Sequence, residues 1–164
     1  MPEQVDSLLA PIADWIAAAD CRVTTYPDGS AEISDAGGEI RYVIREDNAS
    51  YSITKEERRD DLSAIAVAVS EEDALRLLVS ILGPNIRLRR GLPWLRFPVT
   101  TDELPDGYSV EFSEAGDSLL VNGSLVGRFA HGDEEYSEAA QFAHIHSLDI
   151  QDIERMFTDE VPSR

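Results

Sequence analysis

The hydrophobic period changes several times along the chain, and the changes mark out its elements. Val5, Leu8, Leu9, Ile12 and Ile16 recur at three- and four-residue spacing, with Trp15 beside them. That spacing predicts an amphipathic helix to about Ala19, with Trp15 as a core anchor. Pro11 falls inside the pattern, so the helix proper starts near it or is kinked there. From Cys21 the period drops to two. Cys21 to Tyr26 and Ser30 to Ser34 flank Pro27-Asp28-Gly29, where proline presets the first turn angle and glycine supplies the positive one, which predicts a hairpin. A paired-glycine turn, Asp35-Ala36-Gly37-Gly38, then feeds the alternating run Glu39-Ile40-Arg41-Tyr42-Val43-Ile44-Arg45. Ile40, Tyr42 and Ile44 are expected to face the core, leaving Glu39, Arg41 and Arg45 for water or a partner. Glu46-Asp47-Asn48 turns the chain back into Ser50 to Thr54, completing an antiparallel meander.

Lys55 to Asp61 is a dense charge run, expected as a solvated loop or irregular turn. In Leu62 to Val69, Ile65, Val67 and Val69 alternate with Ala64, Ala66 and Ala68. The β-branched residues favour a strand whose alanine face lets a helix approach closely, with a helix as the competing assignment. Ser70-Glu71-Glu72-Asp73 opens the clearest helix: a capping serine and an acidic first turn lead into Ala74, Leu75, Leu77, Leu78, Ile81 and Leu82, and Gly83-Pro84 is expected to stop it. Such a broad apolar face belongs to the main core helix. Ile86 and Leu88 then alternate with Arg87 and Arg89, and Arg90 and Arg96 extend this basic group, which is expected to pair with the chain's own carboxylates, with an acidic partner or a phosphate-bearing ligand as the competing reading. In the proline-bounded connector that follows, Trp94 and Phe97 are expected to cover a core edge.

A second meander is predicted from Tyr108 to Phe112, Leu119 to Val121 and Ser124 to Ala130, its last turn made by Asn122-Gly123. Two C-terminal helices close the chain. The first runs from Glu134 to His146 with Tyr136, Ala139, Ala140 and Ala143 inward; the second is capped by Ser147 and holds Leu148, Ile150, Ile153, Met156 and Phe157, with fraying from Val161. The sum is a single α+β domain over residues 1–164, an antiparallel sheet of meandering hairpins with helices packed mainly on one face.

Composition narrows the class. With 43% hydrophobic and 28% charged residues the chain is globular, and no apolar run reaches membrane-helix length. An acidic start, Met1-Pro2-Glu3-Gln4, carries no basic leader, so a cytoplasmic location is expected. Cys21 stands alone, which rules out an internal disulfide. The formal charge of -18 repels phosphate backbones and accelerates encounter with a basic protein. Lys55 is the sole lysine, so nearly all positive charge sits on arginine.

Candidate chemistry is sparse. His131, His144 and His146 are the only imidazoles. His144 and His146 are two apart, which on a helix sends them to different faces; solvent or capping roles suit them better than metal ligation. Gly37-Gly38 precedes a strand and lacks the helix and lysine of a phosphate cradle. No catalytic residue, cofactor or metal site is expected, and the chain is read as a non-enzyme.

Asp14-Trp15-Ile16, Gly37-Gly38-Glu39-Ile40-Arg41-Tyr42, Ile53-Thr54, Leu92-Pro93, Glu103-Leu104, Tyr108-Ser109 and Ser147-Leu148-Asp149-Ile150, with Ile153, Phe157 and Asp159 beyond, occur in order along the chain. In these pieces the chain resembles the immunity proteins that neutralise TNT-type NAD+ glycohydrolase toxins, polymorphic-toxin immunity family sixty-one. Lys55 to Val69 fits that pattern poorly. The resemblance implies a cytoplasmic antitoxin that binds its cognate toxin one-to-one, covers the NAD+ cleft and has no catalysis of its own, with neither nucleic acid nor membrane as partner. The toxin-binding candidates are Asp28, Asp35, Gly37, Gly38, Glu39 and Arg41, expected to share one end of the meander, with the Arg87, Arg89 and Arg90 group as a further choice. A secretion chaperone or general interaction module without inhibitory activity is the competing function.

Overall fold

The computed structural model describes residues 3–57 and 61–159. Part of the charge run, residues 58–60, and the expected fraying from Val161 lie outside them. Among the described residues eight strands form one antiparallel sheet: β1 (Cys21–Thr25), β2 (Ala31–Asp35), β3 (Ile40–Asp47), β4 (Ser50–Glu57), β5 (Asp61–Ala68), β6 (Tyr108–Glu111), β7 (Asp117–Val121) and β8 (Ser124–Phe129), in the order β1-β2-β3-β4-β5-β8-β7-β6. The two predicted meanders are therefore halves of one sheet. They join where Ala66 of β5 faces Phe129 of β8 and Ala68 faces Gly127. Gly127 permits the junction, because a Cβ there would stand 2.9 Å from the Val67 carbonyl oxygen.

A single register row explains the core. Ala31, Ile44, Ile53, Ala66 and Phe129 are successive cross-strand partners and all are buried. Period-two alternation puts these residues on one face of the sheet, and removing that row from water is the main driving force for laying helices over it. The run Lys55 to Glu57 is strand, where a loop was expected: it completes β4 opposite Ile40–Tyr42, and its charges are paired, Glu56 with Arg41 and Lys55 with Glu57.

The N-terminal helix is broken as Pro11 requires, into α1 (Glu3–Leu9), a 3-10 turn over Ala10–Ile12 and α2 (Ala13–Ala18). Trp15 is buried and its indole N–H donates to the Val79 carbonyl (3.1 Å). The core helix α3 (Glu71–Arg89) begins at the Ser70 cap but runs through Gly83-Pro84 to Arg89. Proline forfeits one helical hydrogen bond there, and Gly83 gives up a side chain at the place where the Phe157 ring packs against the helix. The alternation at Ile86 to Arg90 is accordingly helical: Ile86 and Arg87 are buried and Leu88 is exposed.

The last helices start later than expected. α4 (Glu138–His146) is capped by Ser137, leaving Tyr136 outside the helix and exposed, while Ala139, Ala140 and Ala143 point inward. α5 (Ile150–Thr158) is capped by Asp149, whose carboxylate accepts the Asp152 N–H at 2.8 Å; Ser147 instead closes α4. An ionised carboxylate is the stronger acceptor at a helix start.

His146 departs from the expected solvent or capping role. Its Nδ1 lies 2.6 Å from the Tyr108 hydroxyl and its Nε2 3.1 Å from the buried Asp73 carboxylate, which also accepts from Arg76. The bridge ties β6 to α3 and α4. Burial pushes the Asp73 carboxyl up, but His146, Ser70 and Arg76 outweigh it and hold it below the ordinary value. The folded value being the lower one, this contribution is present above the unfolded aspartate value of about 4 and is lost as pH falls through the folded one. Asp73→Asn is expected to cost about 2 kcal/mol in urea unfolding at pH 7, with a smaller cost at about pH 3.

Candidate functional site

The β2–β3 turn is built by its own residues. Asp35 accepts twice, its carbonyl from the Gly38 N–H (3.0 Å) and its carboxylate from the Ile40 N–H (3.3 Å). Gly38 holds the left-handed φ of 69° that closes the turn. Gly37 has no such duty: its φ is not positive, and a Cβ there would meet nothing nearer than the Glu39 side chain at 3.9 Å. Glu39 is exposed and has no hydrogen bond or ion pair among the described residues. Arg41 lies one step along β3, held by its register partner Glu56.

The candidates do not form one surface. Asp28 sits in the β1–β2 turn, at the other end of β2, a separation of roughly 16 Å for a five-residue strand. Its carboxylate accepts from the Ser30 hydroxyl (2.6 Å) and the Ser30 N–H (2.9 Å), and Arg45 lies 3.5 Å away. Those Ser30 hydrogen bonds hold its pKa below the ordinary value. The meander alternates its turns between two ends, so Asp28 shares an end with Asn48, whereas Asp35, Gly37, Gly38 and Glu39 share one with Asp20 and Glu57.

At that second end a cleft of about 570 Å³ opens between sheet and helices. Tyr42 of β3, Lys55 of β4, Ile81 and Leu88 of α3, Trp94 of the connector and Glu138 of α4 line it. Tyr42 lies two residues from the turn's exit at Ile40, and Lys55 is its cross-strand partner. Burial, then the negative groups Cys21, Glu57 and Asp35, push the Tyr42 phenol up, and burial alone pushes up the Glu138 carboxyl. Trp94 does not cover the core edge: it is 74% exposed. Phe97 does, with its ring centroid 6.1 Å from that of Phe157.

The arginine group divides by environment. Arg87 is buried and donates to backbone carbonyls rather than to carboxylates: Pro93 (2.7 Å), Asp159 (3.0 Å), Phe157 (3.1 Å) and Met156 (3.3 Å). It clamps the connector and the end of α5 onto α3. Arg89 meets the Asp20 carboxylate at 3.2 Å, as the expectation of internal pairing had it. Sequence reasoning missed the cleft, although Leu88 and Trp94, large apolar residues among arginines and prolines, were its available signal. Among the described residues no helix is long and apolar enough to cross a membrane, and no group of three or more His, Cys, Asp or Glu could hold a metal ion.

This architecture has known counterparts. The chain shares its fold with the solved structure of Rv3902c from M. tuberculosis at a TM-score of 0.80 and 24% identity, covering 92% of this chain and 88% of that one. "Immunity factor for TNT" of Mycobacterium tuberculosis (strain ATCC 25618 / H37Rv) and "Immunity factor for TNT homolog" of Mycobacterium bovis (strain BCG / Pasteur 1173P2) are each 28% identical over 106 residues. That match spans 63% of this chain and 60% of the length of those relatives. The family model described as Immunity protein 61 matches residues 15–161, and the chain belongs to that immunity protein family.

Proposed function

We propose that the protein is an antitoxin of its producing cell: it binds a cognate secreted toxin one-to-one in the cytoplasm and blocks the toxin's active site, without catalysis of its own. The observation that carries this is the family membership, and the relatives named for TNT point to an NAD+ glycohydrolase as the target. The β2–β3 turn supplies the blocking element. Gly37 and Gly38 keep it narrow, Asp35 fixes its shape, and the unpaired Glu39 carboxylate offers charge to a cleft that binds a nucleotide. Arg41 braces the turn through Glu56. Asp28, at the opposite end of β2, enters only as a remote contact.

A formal charge of -18 fits capture of a basic partner, since complementary fields raise association rates. Speed has a purpose here, because free toxin consumes its substrate until it is bound. Co-expression of the chain with its cognate toxin domain, followed by size exclusion with light scattering, tests the proposal. A single one-to-one species is expected. Toxin and chain eluting separately would overturn it.

A further inference from the structure

The cleft beside the turn has the make-up of a docking surface that the free chain leaves half finished. Trp94 and Leu88, 74% and 68% exposed, are the two most exposed large apolar side chains among the described residues, and both stand at its mouth. Their neighbours inside are apolar, Ile65, Leu77 and Ile81 among them. Apolar anchors gathered at a pocket mouth are where binding energy concentrates in protein interfaces. Two polar groups on the lining lack partners. The Glu138 carboxylate has no ion pair or hydrogen bond among the described residues, and the buried Nη2 of Arg87 has no acceptor.

The Glu138 carboxylate specifies something about an occupant. Glu138 opens α4, where the helix start favours a negative charge in water. Once a partner removes that water, the carboxylate needs a cation. Lys55 on the opposite wall does not supply that cation, because it is paired with Glu57 at 3.4 Å. Arg87 Nη2 is closed to a partner, its residue being only 2% exposed. Apolar walls and one carboxylate match a segment that pairs an apolar side chain with a basic one, and the net charge of -18 favours a basic partner.

We propose that this cleft is a second docking surface for the toxin, separate from the blocking turn. It takes a toxin segment presenting an aromatic or aliphatic side chain beside a lysine or arginine: the apolar group lodges against Trp94 and Leu88, and the cation meets Glu138. The inference rests on the antitoxin reading, and its test separates the two.

Purified toxin domain is titrated calorimetrically against the wild-type chain and against Trp94→Ala, Leu88→Ser and Glu138→Gln. The exposure of Trp94 and Leu88 means that the free variants should keep the wild-type thermal midpoint. Trp94→Ala and Leu88→Ser are expected to weaken binding by about tenfold or more each. For Glu138→Gln about a fivefold loss is expected, shrinking in high salt. Hydrogen exchange on the complex should show protection in residues 88–97 and 138–145 as well as 36–41. If the wild-type chain binds while all three variants match it and protection stays within 36–41, the cleft proposal is overturned and the antitoxin reading stands. A wild-type chain that fails to bind overturns both.

Discussion

Gly37→Phe and Glu39→Arg are each expected to weaken toxin binding by about 30-fold, or about 2 kcal/mol. Neither should move the stability of the free chain by more than about 0.5 kcal/mol. The two probe different properties of one turn. Gly37 has ordinary backbone angles and open space around a would-be Cβ, so the free chain has room for a ring that would obstruct entry into a narrow cleft. Glu39 has no partner among the described residues to lose, so reversing its charge changes what the toxin meets. Asp35 is the poorer probe, because its carboxylate holds the Ile40 N–H and its replacement would deform the turn itself. Gly38 is unsuitable for the same reason, its φ of 69° being costly for any side chain. Calorimetric titration against the toxin, with urea unfolding of the free variants alongside, distinguishes lost recognition from lost structure.

Gly83→Ala is expected to destabilise the fold by about 2 kcal/mol: overpacking costs about 3 kcal/mol, and the better helix propensity of alanine returns about 1. The new Cβ would land on the Phe157 ring, with Cδ2 at 2.6 Å and Cδ1 and Cγ nearer still. Phe157 is buried, and its ring lies 6.5 Å from Trp15 and 6.1 Å from Phe97, centroid to centroid, so it has little freedom to retreat. The strain would pass to α5, whose terminal carbonyls Arg87 holds. Urea unfolding measures the loss. Phe157→Leu introduced into the Gly83→Ala chain should recover part of it by vacating the ring, which a general helix effect would not allow.

The sequence discloses what local chemistry decides. Pro27-Asp28-Gly29 and Asp35-Ala36-Gly37-Gly38 mark their turns because their angles and hydrogen bonds are made by the turn residues themselves. Alternation marks β3, and the small face of Ala66 and Ala68 is the one buried. What long-range packing decides stays hidden. Gly83-Pro84 signals a helix end in any local account, yet the helix continues, and the glycine stands there because Phe157, far along the chain, fills the space a side chain would occupy. The alternation of Ile86 to Leu88 is too short to separate a strand from a helix. Pairing of β5 with β8 joins residues about 60 apart, and no local pattern announces it. The cleft needs β3, β4, α3, the connector and α4 at once, so it exists only in three dimensions. The candidate turn was legible in composition and position. Its separation from Asp28 follows from strand direction, which a list of candidate residues does not carry.

Inhibition is the central claim, and it is tested most directly by following NAD+ hydrolysis by the cognate toxin while the purified chain is titrated in. The antitoxin account predicts that the rate falls in proportion to added chain and reaches zero at about one equivalent, as tight one-to-one blockade requires. Undiminished hydrolysis by a toxin that is bound to the chain would contradict it and would make the protein a carrier of the toxin rather than its inhibitor.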